Sequence, residues 1–229
     1  MAVGTVKSMA DLVELVRVVG FLPFFRCRIP GFSLEDCVAP ELWYCGAENG
    51  RVRWDAWNWK GELLRGKRLI YGKFFEGRAG FVSPEWFPDF CNYRRDGYDF
   101  DARCDDGLVN YRDRQLVAWL DGRGPSYTRE IRQALNYGRE GNKGFETVLT
   151  RLQMQTYLVP VDYVYPRRKD GTEYGWGLCV YDLAEKYWPE ALCRSAYGRR
   201  PAASLERMQA HLETVLPEAA PQAIVRLLG

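Results

Sequence analysis

The sequence predicts an α+β fold, and three observations predict it. Helix-periodic apolar residues recur from Arg112 to Leu152. Two β-type runs then flank a polar turn at Arg167–Gly171. The first hundred residues are aromatic-rich and carry a hairpin pattern of their own at Lys67–Ser83. Together these describe an aromatic-rich N-terminal helix and hairpin domain over residues 1–107. A C-terminal unit of short helices, a hairpin and covering helices follows over residues 108–229.

Taken in order, residues 9–19 predict a helix that ends at Gly20 and Pro23. Phe21–Phe25 is a compact apolar stop. Pro30-Gly31 turns the chain, and Ser33 with Asp36 caps one more short helix. Residues 41–60 hold Trp43, Trp54, Trp57 and Trp59, a cluster read as core packing, with stacking of an extruded base as its functional alternative. Lys67–Phe75 and Arg78–Ser83 flank Glu76-Gly77 as a hairpin. Ser83 before Pro84 predicts a helix start, with Trp86, Phe87 and Phe90 on that helix. Asp89, Asp96, Asp99, Asp101, Asp105 and Asp106, dense between arginines and glycines, read as a solvated acidic loop, with the carboxylate of a lyase or hydrolase as the functional alternative. No sequence repeat and no low-complexity tract is visible.

Leu116, Trp119 and Leu120 lie on one face of a helix that stops at Gly122–Pro125. Ser126 and Thr128 offer cap hydroxyls for a second helix bearing Ile131 and Leu135. A third helix carries Phe145, Val148, Leu149 and Leu152 on one side, and Lys143, Thr147, Thr150 and Arg151 on the other. Tyr157–Tyr165 and Tyr174–Tyr181 then form a hairpin around Asp170-Gly171. Three short helices followed by a basic-tipped hairpin is the order of a winged helix-turn-helix. A helix of this kind fits the DNA major groove, and a hairpin tip reaches the neighbouring phosphates. Lys143, Thr147, Thr150 and Arg151 are therefore the expected groove-facing residues, and Arg167, Arg168 and Lys169 the expected backbone contacts. After the hairpin, Leu183–Tyr197 predicts a helix broken at Pro189. Ser204 caps an amphipathic helix with Leu205, Met208, Leu212 and Leu216, and a short helix closes the chain.

Bulk composition bounds the partners. Of 229 residues, 32 are basic and 30 acidic, and residues 112–183 hold 11 basic against 9 acidic. DNA contact must then run through local clusters and not through a global field. No apolar run reaches the roughly 18 residues of a membrane span, and no secretory signal is visible, so a cytoplasmic chain is expected. Seven cysteines without a C-x-x-C pair, and the single histidine His211, argue against a zinc site and for reduced, mostly buried thiols. No phosphate-binding glycine loop, G-x-S-x-G elbow or Cys–His pairing is present, and neither metal nor cofactor is expected.

The run from Lys143 through Gln153-Met154-Gln155 to Val161, the aromatic wing and Tyr187-Trp-Pro-Glu190 resembles winged-helix proteins related to AlkZ/YcaQ-type DNA glycosylases. The N-terminal third, with its Trp57-Asn-Trp-Lys60 and Tyr71-Gly-Lys-Phe-Phe75, resembles the small AlkZ-related proteins. The resemblance implies binding to double-stranded DNA and excision of bulky, alkylated or cross-linked bases by hydrolysis of the N-glycosidic bond. It implies that Gln153 and Gln155 match the family's Gln-x-Gln motif, which handles the water. Two departures stand out: the family enzymes are longer, with tandem winged helices where one is legible here, and their motif lies early in the chain. A non-catalytic winged-helix regulator or a protein-binding adaptor is the alternative.

Overall fold

The computed structural model describes residues 5–43, 47, 48, 51, 52, 56–175 and 177–229. Helix α1 spans Met9–Val19, and Ser8 caps it by accepting from the Asp11 N–H. Gly20, at φ 80°, ends it, and Trp86 lies so close to this glycine that a Cβ would collide with the indole. Strand β1 (Phe21–Pro23) and the short helices α2 (Leu34–Cys37) and α3 (Pro40–Trp43) follow. A two-stranded ribbon, β2 (Ala47–Glu48) and β3 (Arg51–Val52), precedes α4 (Trp59–Arg65). The hairpin β4 (Ile70–Phe75) and β5 (Arg78–Val82) turns at Glu76 and Gly77, both at positive φ as a tight hairpin turn requires. These strands form an antiparallel sheet in the order β1-β5-β4.

Ser83 does not cap the next helix. Pro84–Trp86 form a turn, and α5 begins at Phe87 and runs to Arg94. The acidic stretch after it holds an unforeseen helix, α6 (Phe100–Asp105), whose first turn is capped by the Asp99 carboxylate. Next come α7 (Tyr111–Arg123), β6 (Ser126–Tyr127), α8 (Thr128–Ala134), α9 (Phe145–Met154), β7 (Leu158–Val164) and β8 (Leu178–Leu183). Their antiparallel sheet has the order β6-β8-β7. One plan thus occurs twice. In each half the chain runs helix, strand, helices and hairpin, and the first strand pairs with the last. The repeat is one of topology and left no trace in residue identities.

The chain closes with α10 (Ala184–Tyr187), α11 (Glu190–Arg194), α12 (Pro201–Val215) and α13 (Pro221–Leu228). Helix α12 starts three residues before Ser204, because Pro201 occupies its first turn. Ser204 is buried instead, donating to Asp89 Oδ1 at 2.7 Å and accepting from Asn92 Nδ2 at 2.9 Å. Asp89 is therefore no part of a solvated loop. It is 3% exposed and also accepts from Arg199 Nη1 and Arg207 Nε, which locks α12 onto α5.

Side chains on β7 and β8 divide between two cores. Leu158, Tyr181 and Leu183 join the smaller cluster under α7, α8 and α9. Val159, Val161 and Val180 face the larger cluster with Phe21, Phe81 and Phe90. Residues of α10 to α13, among them Trp188, Met208, Leu212 and Ile224, also join that larger cluster. Trp57 meets Phe24 edge-on at 5.5 Å, and Trp43 and Trp59 pack against the same core. These three tryptophans thus pack on the core as expected, and Trp54 lies outside the described residues. The six described cysteines are free thiols, and Cys45 lies outside that set. Among the described residues no helix is long and apolar enough to cross a membrane.

His211 stacks on Trp86 at 4.5 Å, and its Nε2 is buried without a hydrogen-bond partner. Burial holds its pKa below the usual value, against the opposing pull of the Val19 and Val18 backbone. The unfolded chain takes up this proton near pH 6.5, whereas the folded chain resists it, so stability falls as pH drops below about 6.5. Because His211 is the single histidine, the window between pH 7.5 and 5.5 isolates it. His211→Phe, which keeps a ring on Trp86, should shrink the melting-temperature difference between those two pH values. An equal difference in variant and wild type would assign the pH dependence elsewhere.

Candidate functional site

Helix α9 is set by both of its ends. Gly144, at φ 78°, starts it after a turn closed by Asn142 N–H on Asn136 O at 2.7 Å and by the Lys143 ammonium on the Gly138 carbonyl at 2.9 Å. Its apolar stripe of Phe145, Val148, Leu149 and Leu152 is buried, as the periodicity predicts. Gln153 continues that stripe one turn past Leu149 and is 1% exposed. Its Oε1 accepts from the Lys73 N–H on β4 at 3.1 Å, and its Nε2 donates to Leu149 O at 3.1 Å. The two glutamines thus part company. Gln153 seals a backbone donor of an edge strand, while Gln155 is half-buried and borders a groove. Stripe spacing alone, carried from Leu149 to position 153, would have separated them.

The groove holds about 960 Å³ and runs along the open side of α9. One wall carries Thr147, Thr150, Met154 and Gln155, and the other carries Tyr93 and Arg94 at the end of α5 with Ala202 and Leu205 of α12. The Glu76-Gly77 turn also approaches this helix, since a Cβ on Gly77 would lie 3.5 Å from Thr150. The face expected to lie open for a duplex is therefore walled over much of its length. Its N-terminal end remains outward, with Lys143 in the preceding turn and Thr147 in the first helical turn exposed.

Charge in the site is partly compensated. Arg151, expected to be a free DNA contact, donates from Nε to Asp113 Oδ2 at 2.7 Å and from Nη2 to Oδ1. This fork onto buried Asp113 joins α9 to α7 and raises the guanidinium pKa. Thr150 accepts from Lys73 Nζ at 3.3 Å, and that ammonium lies 3.7 Å from Glu146, which also pairs with Arg132 at 2.8 Å. Lys73 was missed because its strand is remote in sequence. At the hairpin tip Gly171 takes φ 85°, as the Asp-Gly turn predicts. Arg167 pairs with Glu173 at 3.1 Å, Arg168 lies 5.5 Å from the Tyr174 ring, and Lys169 is exposed without an ion pair among the described residues.

Behind the site, buried Arg95 joins the end of α5 to the α9–β7 junction. It donates to Thr156 Oγ1 at 3.0 Å, Thr156 O at 2.8 Å and the Tyr197 hydroxyl at 2.9 Å, and it pairs with Glu185. The guanidinium also lies 4.5 Å from the Tyr157 ring. Thr156 sits at φ 61°, a conformation that β-branched residues rarely adopt, so the surrounding contacts hold this turn in place. Nothing in the sequence set Arg95 apart from its neighbour Arg94.

Fold and site together define an α+β chain with two three-stranded antiparallel sheets, a two-stranded ribbon and a groove beside α9. A sequence model of the AlkZ-related family matches residues 6–229, and the chain belongs to that family. No curated protein and no solved structure matches it.

Proposed function

We propose that this chain binds double-stranded DNA through a winged helix formed by α7, β6, α8, α9, β7 and β8, and that it hydrolyses the N-glycosidic bond of an alkylated or cross-linked base. The observation that carries the reading is the strand order β6-β8-β7 with the three helices α7, α8 and α9, together with an exposed basic hairpin tip. Lys143 just before α9 and Thr147 in its first turn approach the bases, and Arg168 and Lys169 take phosphates. Thr150 and Arg151 support the helix from the groove wall and from Asp113. Membership of the AlkZ-related family supports the chemistry.

An alkylated purine carries positive charge and leaves readily, so the protein needs to place a water at C1′ more than it needs a strong acid. The water oxygen bonds to C1′, the base departs with the glycosidic electron pair, and the water's proton passes to solvent. Gln155 at the groove edge holds that water, and Gln153 acts as a strut. A duplex carrying N7-methylguanine should acquire alkali-labile abasic sites with the wild type. Gln155→Ala should slow this about a hundredfold, the loss expected from a misplaced reactant. Gln153→Ala should lower the melting temperature as well. The full engagement of the Gln153 amide favours a second reading, a DNA-binding protein without catalysis. Duplex binding without abasic sites would select it.

A further inference from the structure

Arg94 and Arg95 are consecutive, yet their surroundings differ sharply. Arg95 donates four hydrogen bonds to three residues, one of them a carboxylate. Arg94 makes one hydrogen bond, from Nη2 to Phe74 O at 2.6 Å, and lies 4.8 Å from the Phe90 ring. Its Nε is sealed from solvent with no partner, and it forms no ion pair among the described residues. A guanidinium in this position has lost water without gaining a side-chain counter-charge. Burial accordingly lowers its pKa to about 10.

Gly229 lies against this guanidinium, and the side-chain carboxylates around the groove form no ion pair with it among the described residues. Glu146 is matched by Arg132 and Lys73, and Asp113 by Arg151. Asp96 is exposed and makes no ion pair among the described residues. The rest of the lining combines the apolar surfaces of Tyr93, Met154 and Leu205 with the polar groups of Thr147 and Gln155. Such a wall suits a planar ring with hydrogen-bonding edges, and the volume of about 960 Å³ leaves room for one.

We infer that the groove seats a single nucleotide, with its phosphate on Arg94 and its base between Tyr93 and the Met154–Gln155 end of α9. This rests on the DNA-binding reading and deepens it, since it names what enters the groove. The phosphate belongs either to a DNA strand or to a free mononucleotide.

The test uses the full chain with 5′-deoxyadenosine monophosphate, deoxyadenosine, inorganic phosphate as competitor and a single-stranded tetranucleotide, followed by calorimetry. Arg94→Gln should weaken the monophosphate or the tetranucleotide at least tenfold and leave deoxyadenosine unchanged. Inorganic phosphate should compete with wild type alone. Monophosphate binding identifies a free nucleotide as sufficient, and binding of the tetranucleotide alone assigns the phosphate to a strand. Ala202→Trp fills the groove from an exposed position and should abolish binding even if Arg94→Gln folds poorly. Affinities for both phosphate ligands that are indifferent to Arg94→Gln and to Ala202→Trp would overturn the inference. Duplex binding through the hairpin tip could survive that outcome, and Arg94-dependent nucleotide binding could survive its loss, so the two readings fail separately.

Discussion

Arg95→Met is expected to cost about 3–5 kcal/mol, the range for breaking one side of a buried ion pair. The guanidinium is 0% exposed, and its loss leaves half-buried Glu185 and the Thr156 carbonyl without their donor. For a chain of this length each kcal/mol shifts the melting temperature by roughly 2–4 °C, so a fall of about 6–20 °C should appear in a thermal melt. Arg95→Lys should recover little, because one ammonium cannot replace a fork that reaches Thr156, Tyr197 and Glu185 together. Adding Glu185→Leu to Arg95→Met should restore part of the stability by removing the stranded carboxylate. A melt within 2 °C of wild type for Arg95→Met would refute the role. The consequence reaches function, since Thr156 immediately follows Gln155 and its turn sets where α9 ends.

The second large effect concerns the hairpin tip. Arg168 and Lys169 carry charges with no carboxylate partner among the described residues, whereas Arg167 is held by Glu173 at 3.1 Å. Each phosphate contact releases counterions worth about 0.9 decade of affinity per decade of salt. At about 0.1 M salt the double variant Arg168→Ala/Lys169→Ala should therefore bind a duplex roughly 60-fold more weakly than wild type. Arg167→Ala should change affinity much less, since it also frees Glu173. If all three positions contributed equally, the pairing at the tip would be irrelevant to binding.

Much of this architecture was legible. The stripe Phe145, Val148, Leu149, Leu152 marked α9, Glu76-Gly77 and Asp170-Gly171 marked both hairpin turns, and Gly20 marked the end of α1. These signals are local, and local spacing carries them. Long-range partners were not legible. Ser204 reads as a helix cap until Asp89 and Asn92, over a hundred residues earlier, occupy its hydroxyl. Arg151 reads as a surface cation until Asp113 is placed beside it. The groove was hidden for the same reason, as its walls come from α5, α9 and α12. Gln153 is a different matter, because its position on the buried stripe was available and the motif drew attention away from it.

Duplex affinity at 50 and 200 mM salt tests the central claim most directly, with wild type beside Arg168→Ala/Lys169→Ala. Two phosphate contacts account for about a twelvefold change in affinity over that interval. Wild-type affinity should fall steeply across it, and the variant's fall should be smaller by about that factor. Equal salt dependence in the two proteins, or no duplex binding at either salt, would contradict DNA recognition through this hairpin and point to a protein-binding adaptor.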